Sequence, residues 1–267
     1  PSLPHPHPLP LSFNPRITGA YCPCRPGVVM VRTRGLTQTS VLEPDMTDLV
    51  GLAPVTLILA LVVTTFAGVV KGAVGFAMPL IMISGLSTIM DPKLALAALI
   101  LPVLLSNGLQ TFRQGVAEAL SAAREFWRYL LIVCVAILVA AQGVALLPTR
   151  AFYLVLGIPV VILSLMQLVC LRLVIPPHRR TRAEWGIGLI SGILGGLAGT
   201  WGPTTVLYLL AIGTTKARQM IVQGVIYGTG SVALLLAHLK SGILNAGTAP
   251  LSALMILPAF FGMWIGF

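Results

Sequence analysis

Most of this sequence consists of apolar segments that are each about long enough to cross a lipid bilayer. A helix needs about 20 apolar residues to span a hydrocarbon core of ~30 Å. Only 9% of the residues are charged and 57% are hydrophobic. We therefore predict an all-α, polytopic transmembrane bundle of eight or nine segments. These run roughly over residues 49–70, 72–90, 94–112, 129–147, 151–173, 186–213, 219–239 and 249–267.

The positive charge lies in short connections between these segments. A net charge of +10 would favour nucleic acid binding in a soluble protein. Here the arginines flank apolar spans, which is typical of topology bias in a membrane protein. The connections 113–128 and 172–184 are the most basic, so we predict that both face the cytoplasm. The chain is expected to contact the lipid bilayer and no nucleic acid.

The first 45 residues differ in composition from the rest. They hold nine of the 20 prolines and show no apolar periodicity. We predict a disordered or non-native extension over residues 1–45 and a transmembrane domain over 46–267. Translation is expected to start at Met46 or Met30.

Motifs for metal binding and catalysis are weak in this sequence. Cys22 and Cys24 form a C-P-C pair near two histidines, but this spacing is not that of a zinc site. The apolar segments contain no H-E-x-x-H motif and no paired aspartates. We predict no metal site, no cofactor and no enzymatic activity.

A glycine and proline motif occurs twice. Residues 68–80, "GVVKGAVGFAMPL", align without a gap with residues 192–204, "GILGGLAGTWGPT". Both read G-x-x-x-G-x-x-G-x-x-x-P, with the shared positions at Gly68, Gly72, Gly75 and Pro79 and at Gly192, Gly196, Gly199 and Pro203. This doubling predicts two related halves, one over about 50–128 and the other over about 186–267. Parallel and inverted arrangements of the halves both remain open.

The motif predicts a break in each helix. Glycines three and four residues apart let another backbone approach closely, and proline removes a hydrogen-bond donor. We expect unwound backbone at residues 75–78 and 199–202, with new half-helices opening at Pro79 and Pro203. Paired broken helices in two halves of a chain indicate a transport site.

The second copy favours a re-entrant hairpin. Its apolar run over 186–213 has 28 residues, which is too few for two crossings and long for one. A hairpin would keep Lys216 and Arg218 on the cytoplasmic side. A single crossing would place them outside, and this alternative stays open.

Lys71 is the only charged residue between Asp48 and Asp91. A charge at the bilayer centre costs about 2.5–3.5 kcal/mol on insertion scales, so such residues usually face a cavity or a partner. All acidic residues lie in the N-terminal region, in connections or at span ends. A bound anion is then the simplest counter-charge, supported by the two half-helix N-termini. In the alternative interpretation, Lys71 snorkels to an interface and the glycines serve packing.

We predict a substrate site built from the two breaks and their surroundings. Thr200, Trp201 and Thr204 offer hydroxyl and indole donors, although Trp201 is equally well explained as a packing residue. The predicted substrate-binding set is Lys71, Gly72, Gly75, Phe76, Pro79, Asn107, Gly196, Gly199, Thr200, Trp201, Pro203 and Thr204.

The paired motifs resemble those of the TauE/SafE family of membrane permeases, also called the sulfite exporter family. "GVVKGAVGFAMPL" is similar to the first family motif in its lysine variant, and "GGLAGTWGPTTVLYLL" to the second. The resemblance covers residues 50–267. It implies a multi-pass permease in a bacterial inner membrane that handles sulfur-containing or carboxylic anions. Family members usually continue beyond the "GMWIGF" region into a further helix, so we expect a fragment or an unusual member.

The expected function is transport of small organic or sulfur-containing anions such as sulfite and sulfonates. A potential of 100 mV is worth about 2.3 kcal/mol per charge, which drives a monovalent anion outward about 40 to 50-fold without a coupling ion. We therefore predict export. Concentrative uptake of a small carboxylate or sulfonate and a non-transporting accessory subunit are the alternatives. Assembly into a homo-oligomer is left open.

Overall fold

The computed structural model describes residues 52–168 and 174–267, and all regular secondary structure in these ranges is helical. The all-α prediction is confirmed, and the predictions for residues 1–45 lie outside the described residues. The helices are α1 Pro54–Val74, α2 Met78–Leu86, α3 Pro92–Phe112, α4 Val116–Glu125, α5 Trp127–Val144, α6 Thr149–Leu168, α7 Arg180–Ala198, α8 Gly202–Ala211, α9 Lys216–Ser241, α10 Ala249–Leu254 and α11 Ile256–Gly266. A short 3-10 turn, Pro177–Arg179, precedes α7.

Five stretches are long and apolar enough to cross a membrane. They are α1, α3, α5, α9 and the consecutive pair α10 and α11, taken together as Ala249–Gly266. The protein is therefore a multi-pass membrane protein.

The first broken segment differs from the prediction of two segments over 49–70 and 72–90. Helix α1 continues through Lys71 to Val74 and ends at Gly75. The φ of Gly75 is 83°, which lies in the left-handed region that glycine adopts without strain. Helix α2 has only nine residues, or about 14 Å. It is therefore a half-length helix that is too short to be a second membrane span. Gly68 and Gly72 lie inside α1 without ending it. Their role is to let the backbone of α11 approach closely.

The second broken segment folds back on itself. Helix α7 ends at Gly199, again left-handed with φ 68°, and α8 begins at Gly202. The backbone N–H of Ile175, just before α7, donates to the carbonyl oxygen of Ala211 at the end of α8 (2.8 Å). Both ends of this segment therefore lie at the same face. Of the two alternatives, the structure has the hairpin.

The connection 113–128, predicted as a loop, contains the amphipathic helix α4. Its acidic side chains hold Arg218, whose guanidinium lies 3.1 Å from the Glu118 carboxylate and 2.8 Å from that of Glu125. Arg180, at the start of α7, lies 3.8 Å from Glu125. These contacts bring α4 and the starts of α7 and α9 to one side of the bundle, which we call the basic face.

The opposite face carries the other helix ends. The Lys93 ammonium donates to the carbonyl oxygen of Ala145 (3.1 Å), which joins the start of α3 to the end of α5. The Tyr153 hydroxyl donates to the carbonyl oxygen of Ser87 (2.9 Å), which joins α6 to the end of α2. The α1–α2 segment thus returns to the opposite face, whereas the α7–α8 segment returns to the basic face. The two hairpins enter the bundle from opposite sides.

Each glycine-bearing helix packs against a helix far along the chain, and one of these partners, α5, lies beyond the end of the first predicted half at about residue 128. The most extensive pairings are α1 with α11 and α5 with α7. A Cβ added at Gly68 would collide with the Ala259 carbonyl oxygen, and one added at Gly192 with Ala136 and the Val133 backbone. Backbone contact at this range explains why the motif needs glycine. Two inverted copies with exchanged partners would produce this arrangement if the first copy extends through α5.

Candidate functional site

The two helix interruptions meet inside the bundle. A Cβ built on Gly202 would lie 3.8 Å from the Cβ of Phe76, so the two segments are in van der Waals contact. The Tyr227 hydroxyl donates to the Gly202 carbonyl oxygen (3.1 Å) and ties α9 to the same point. Between them lies a cavity of about 10 Å³, which is about the space that one water molecule requires.

Lys71 lies at this junction and is almost fully buried, with 3% of its surface exposed. Its ammonium donates to the Oδ1 of Asn107. The Nδ2 of Asn107 in turn donates to the Tyr227 carbonyl oxygen (3.2 Å), which fixes the amide with its oxygen toward the lysine. An ammonium carries three donors, and Asn107 accepts from one of them. Within residues 52–168 and 174–267, no carboxylate pairs with Lys71.

The backbone around the first interruption has an unusual conformation. Ala77 has φ 75°, the only positive value for a non-glycine residue in the described part of the chain. The left-handed conformation costs an L-residue about 1–2 kcal/mol. Such residues are concentrated at functional sites, where the surrounding structure holds them in place.

The second interruption is supported by a buried hydroxyl cluster. The Trp201 carbonyl oxygen accepts from Ser191 (3.2 Å), Thr204 (2.9 Å) and Thr205 (2.8 Å). The Thr204 hydroxyl is also 2.7 Å from that of Ser191. These hydroxyls therefore satisfy the unwound backbone behind the junction.

Trp201 packs tightly in the bundle and also has an indole donor that no described residue uses. Its ring is 1% exposed and packs where Cβ atoms on Gly195 and Gly230 would lie 3.0 and 3.1 Å away. Its indole nitrogen is buried and has no hydrogen-bond partner among the described residues. It also lines the small cavity at the junction.

The structure brings together seven of the twelve predicted site residues. The small cavity is lined by Lys71, Phe76, Pro79, Asn107 and Trp201, together with Ala77, Gly202 and Tyr227. Gly72 and Gly75 line a second cavity that also reaches Lys71.

The other five predicted residues line neither cavity. A Cβ on Gly196 would meet α5 at the Ile137 carbonyl oxygen (2.6 Å), and one on Gly199 would meet Leu99 (2.9 Å). Close backbone packing explains Gly196, and the left-handed φ at the end of α7 explains Gly199. Thr200, Pro203 and Thr204 are buried beside the second interruption.

The second cavity has a volume of about 920 Å³ and extends from Lys71 to Arg113 at the basic face. Sequence reasoning missed its members Gln110, Arg113 and Met220, and it also missed Tyr227, which lines the small cavity. Gln110 carries a usable signal, because it is a polar residue one turn after Asn107 in an apolar helix. Met220 carries none, since an apolar residue in an apolar helix predicts only burial.

Metal ligands are not gathered in the described part of the chain. No group of three or more His, Cys, Asp or Glu residues there could hold an ion. Cys22 and Cys24 lie outside the described residues.

Comparison with known proteins connects this geometry to a family. The sequence model described as "Sulfite exporter TauE/SafE" matches residues 60–267, which include both interruptions and Lys71. Comparisons with curated proteins and with solved structures returned no match. The resemblance predicted from the paired motifs is confirmed, and the chain belongs to the sulfite exporter TauE/SafE family of membrane transporters.

Proposed function

We propose that this protein transports small organic or sulfur-containing anions and that Lys71 binds the anion during passage. One observation carries the proposal: a buried ammonium has a neutral amide as its partner where two broken helices meet. A buried ammonium without a carboxylate needs a counter-charge, because desolvation of an isolated charge is costly. A substrate anion provides it.

The half-helices add to the positive potential at this point. Helices α2 and α8 begin at the junction with Met78 and Gly202, and the first N–H groups of a helix lack partners within it. Each N-terminus acts as roughly half a positive charge. Together with Lys71, they favour a ligand of one or two negative charges that accepts several hydrogen bonds. Sulfite, sulfonates and small carboxylates have this chemistry.

Passage of an anion requires the hairpin tips to move apart. The junction cavity of about 10 Å³ has room for about one water molecule, which is smaller than an oxyanion. We infer that the hairpins separate alternately toward the two faces, as in transporters built around broken helices.

The direction of transport follows from charge. The positive-inside rule assigns the basic face to the cytoplasm of a bacterial inner membrane. A negative interior drives an uncoupled anion outward, so we propose export. Junction residues form one continuous site within a single chain, so the proposal requires no homo-oligomer.

The proposal is tested by anion flux into proteoliposomes that contain the purified protein. We expect sulfite and sulfoacetate to move at rates that depend on the imposed potential, while a neutral sugar does not move. Lys71→Ala should reduce anion flux at least tenfold. Lys240→Ala, the same change at an exposed lysine at the end of α9, serves as the matched control. Equal flux in wild type and Lys71→Ala would refute the role of Lys71.

Concentrative uptake is the second candidate, and one observation favours it. Glu184 is 5% exposed, and its carboxylate accepts from Tyr208 (3.0 Å) and Arg180 (3.2 Å). A buried carboxylate can carry a proton across a membrane with an anion. If a pH gradient drives accumulation at zero potential, and Glu184→Gln abolishes this, uptake replaces export.

A further inference from the structure

Helices α3 and α9 form a closely packed pair beside the two interruptions, which we call the α3–α9 frame. A Cβ added at Gly224 of α9 would lie 2.9 Å from the carbonyl oxygen of Gln110 in α3. The Thr111 hydroxyl lies 2.7 Å from the carbonyl oxygen of Gly224. One turn further along both helices, the Asn107 amide donates to the carbonyl oxygen of Tyr227 (3.2 Å). The two helices are therefore joined by direct contacts next to the junction.

Both hairpin tips are bonded to this frame at neighbouring points. The Lys71 ammonium of α1 donates to the amide oxygen of Asn107. The Tyr227 hydroxyl donates to the carbonyl oxygen of Gly202, the first residue of α8 (3.1 Å). Tyr227 is 3% exposed, so its hydroxyl bond is shielded from competing water. Because Asn107 is bonded to Tyr227, these four residues form one continuous series of contacts between the two interruptions.

The two bonds to the frame respond differently to an anion. An anion attracts the Lys71 ammonium more strongly than the neutral oxygen of Asn107 does, so it competes for that donor. The bond between the Tyr227 hydroxyl and the Gly202 carbonyl oxygen involves no charged group, and an anion at Lys71 has no such effect on it. The start of α8 therefore stays attached to the frame after the anion has bound.

We propose that Tyr227 is a positioning residue whose hydroxyl holds the start of α8 beside Lys71. The N-terminus of α8 and the ammonium then act on the same anion. This inference rests on the proposed function, because it concerns the same anion. It adds the side chain that controls when the second hairpin separates from the frame. A substitution that removes the hydroxyl weakens anion binding and makes separation easier.

Tyr227→Phe tests this role, because it removes the hydroxyl and keeps the ring. In proteoliposomes, we expect the KM for sulfite to rise about twofold to tenfold, which corresponds to the loss of one hydrogen bond. The maximal flux should not fall, since the tip separates more readily. Tyr153→Phe is the matched control, because the Tyr153 hydroxyl also donates to a backbone carbonyl oxygen, that of Ser87 at the end of α2 (2.9 Å). It should keep both wild-type values.

A second measurement on the same variants does not depend on transport. Hydrogen exchange of the first turn of α8, followed by mass spectrometry in detergent, reports how often this turn separates from the frame. Tyr227→Phe should speed this exchange at least twofold, and Tyr153→Phe should leave it unaltered.

The outcomes separate this inference from the proposed function. Wild-type KM and wild-type exchange in Tyr227→Phe would overturn the role of Tyr227. An equal change in Tyr153→Phe would also overturn it, because the effect would then be a general loosening of the bundle. If sulfite does not move even in the wild type, the proposed function fails, and the exchange measurement still decides whether Tyr227 holds the tip of the second hairpin.

Discussion

At the scale of single residues, the account depends on the pair formed by Lys71 and Asn107. The amide of Asn107 lets the ammonium keep donors for a ligand, because a neutral oxygen leaves the positive charge uncompensated. A carboxylate at the same position would neutralise it. If Lys71 binds the substrate as proposed, we expect selectivity for anions only while its nearest protein partner is neutral.

Asn107→Asp should therefore weaken anion binding without unfolding the protein. The new carboxylate would pair with Lys71 and compete with the substrate, since a charge-assisted bond is about twice as strong as a neutral one. We expect at least a tenfold loss of sulfite affinity, measured by thermal shift in detergent. Asn245→Asp makes the same change in an exposed loop and should leave affinity unaltered. Undiminished sulfite affinity in Asn107→Asp would exclude Lys71 as the ligand.

The residue scale also marks a limit of sequence reasoning. Lys71 is identifiable because a charge in an apolar segment has a large, known cost. Asn107 and Tyr227 are ambiguous, because one polar residue in an apolar helix can bond to any neighbour. Their role depends on which helices meet, and the contact between Asn107 and Tyr227 joins residues 120 positions apart.

At the scale of elements, a side chain from another helix compensates for the hydrogen bond that a proline removes. Pro102 lies inside α3, where it removes the hydrogen bond to the carbonyl oxygen of Ala98. The Ser252 hydroxyl from α10 donates to that oxygen (3.3 Å) and accepts from the Leu101 N–H (3.1 Å). A side chain from another helix thus repairs the gap, as membrane helices require.

Replacement of Ser252 should destabilise the protein by an amount that depends on whether Pro102 is present. Ser252→Ala should destabilise the protein by about 1–2 kcal/mol, measured by thermal unfolding in detergent. In a Pro102→Ala background the cost should be smaller, because the backbone N–H restored at position 102 can donate to the Ala98 carbonyl oxygen itself. Strict additivity of the two substitutions would show that Ser252 does not compensate for the proline.

The pairing of α1 with α11 provides a second prediction at this scale. A Cβ at Gly262 would collide with the Thr65 carbonyl oxygen, so Gly262→Ala should destabilise the protein by about 1–3 kcal/mol. Gly143→Ala is the matched control, because a Cβ there meets nothing within 4 Å. Similar unfolding temperatures for the two variants, measured by fluorescence-detected melting, would contradict the close approach of α1 and α11.

Element boundaries show why the sequence predicts some features better than others. The breaks at 75–77 and 199–201 were predicted nearly to the residue, since glycine and proline act locally. Helix α4 was missed because its charged residues are typical of a loop. Its acidic side chains pair with Arg218, which lies 93 positions beyond Glu125, and the sequence does not show that contact. The continuation of α1 through Lys71 likewise depends on α11.

At the scale of the whole molecule, the two hairpins enter from opposite faces and meet at their tips. Gly75 lies beside Met220, and Gly199 lies beside Leu96. Position 199 is 124 residues after position 75, and position 220 is 124 residues after position 96, so the two contacts occupy equivalent positions in the two halves. The hydropathy of a segment does not reveal from which face it enters the membrane. The sequence therefore left both parallel and inverted arrangements of the halves open. The entry of the two hairpins from opposite faces supports inversion.

Cysteine accessibility tests this topology. In a background with the four native cysteines replaced by serine, His178→Cys and Lys216→Cys should both resist an impermeant label in intact cells. Arg150→Cys, at the opposite face, should react. These results follow because the α7–α8 hairpin begins and ends at the basic face. Labelling of position 216 but not 178 would mean that this segment crosses the membrane once.

The most direct test of the account is disulfide formation between the two interruptions. The Cβ of Phe76 and a Cβ built on Gly202 would lie 3.8 Å apart, within the range of about 3.5–4.5 Å that a disulfide requires. Phe76→Cys/Gly202→Cys should form this bond on mild oxidation, detected by mass spectrometry, and anion flux should stop until a reductant is added. Phe76→Cys/Gly143→Cys should remain unlinked. Absence of the 76–202 disulfide, or unaltered flux when it has formed, would contradict an anion site at the meeting point of the two broken helices.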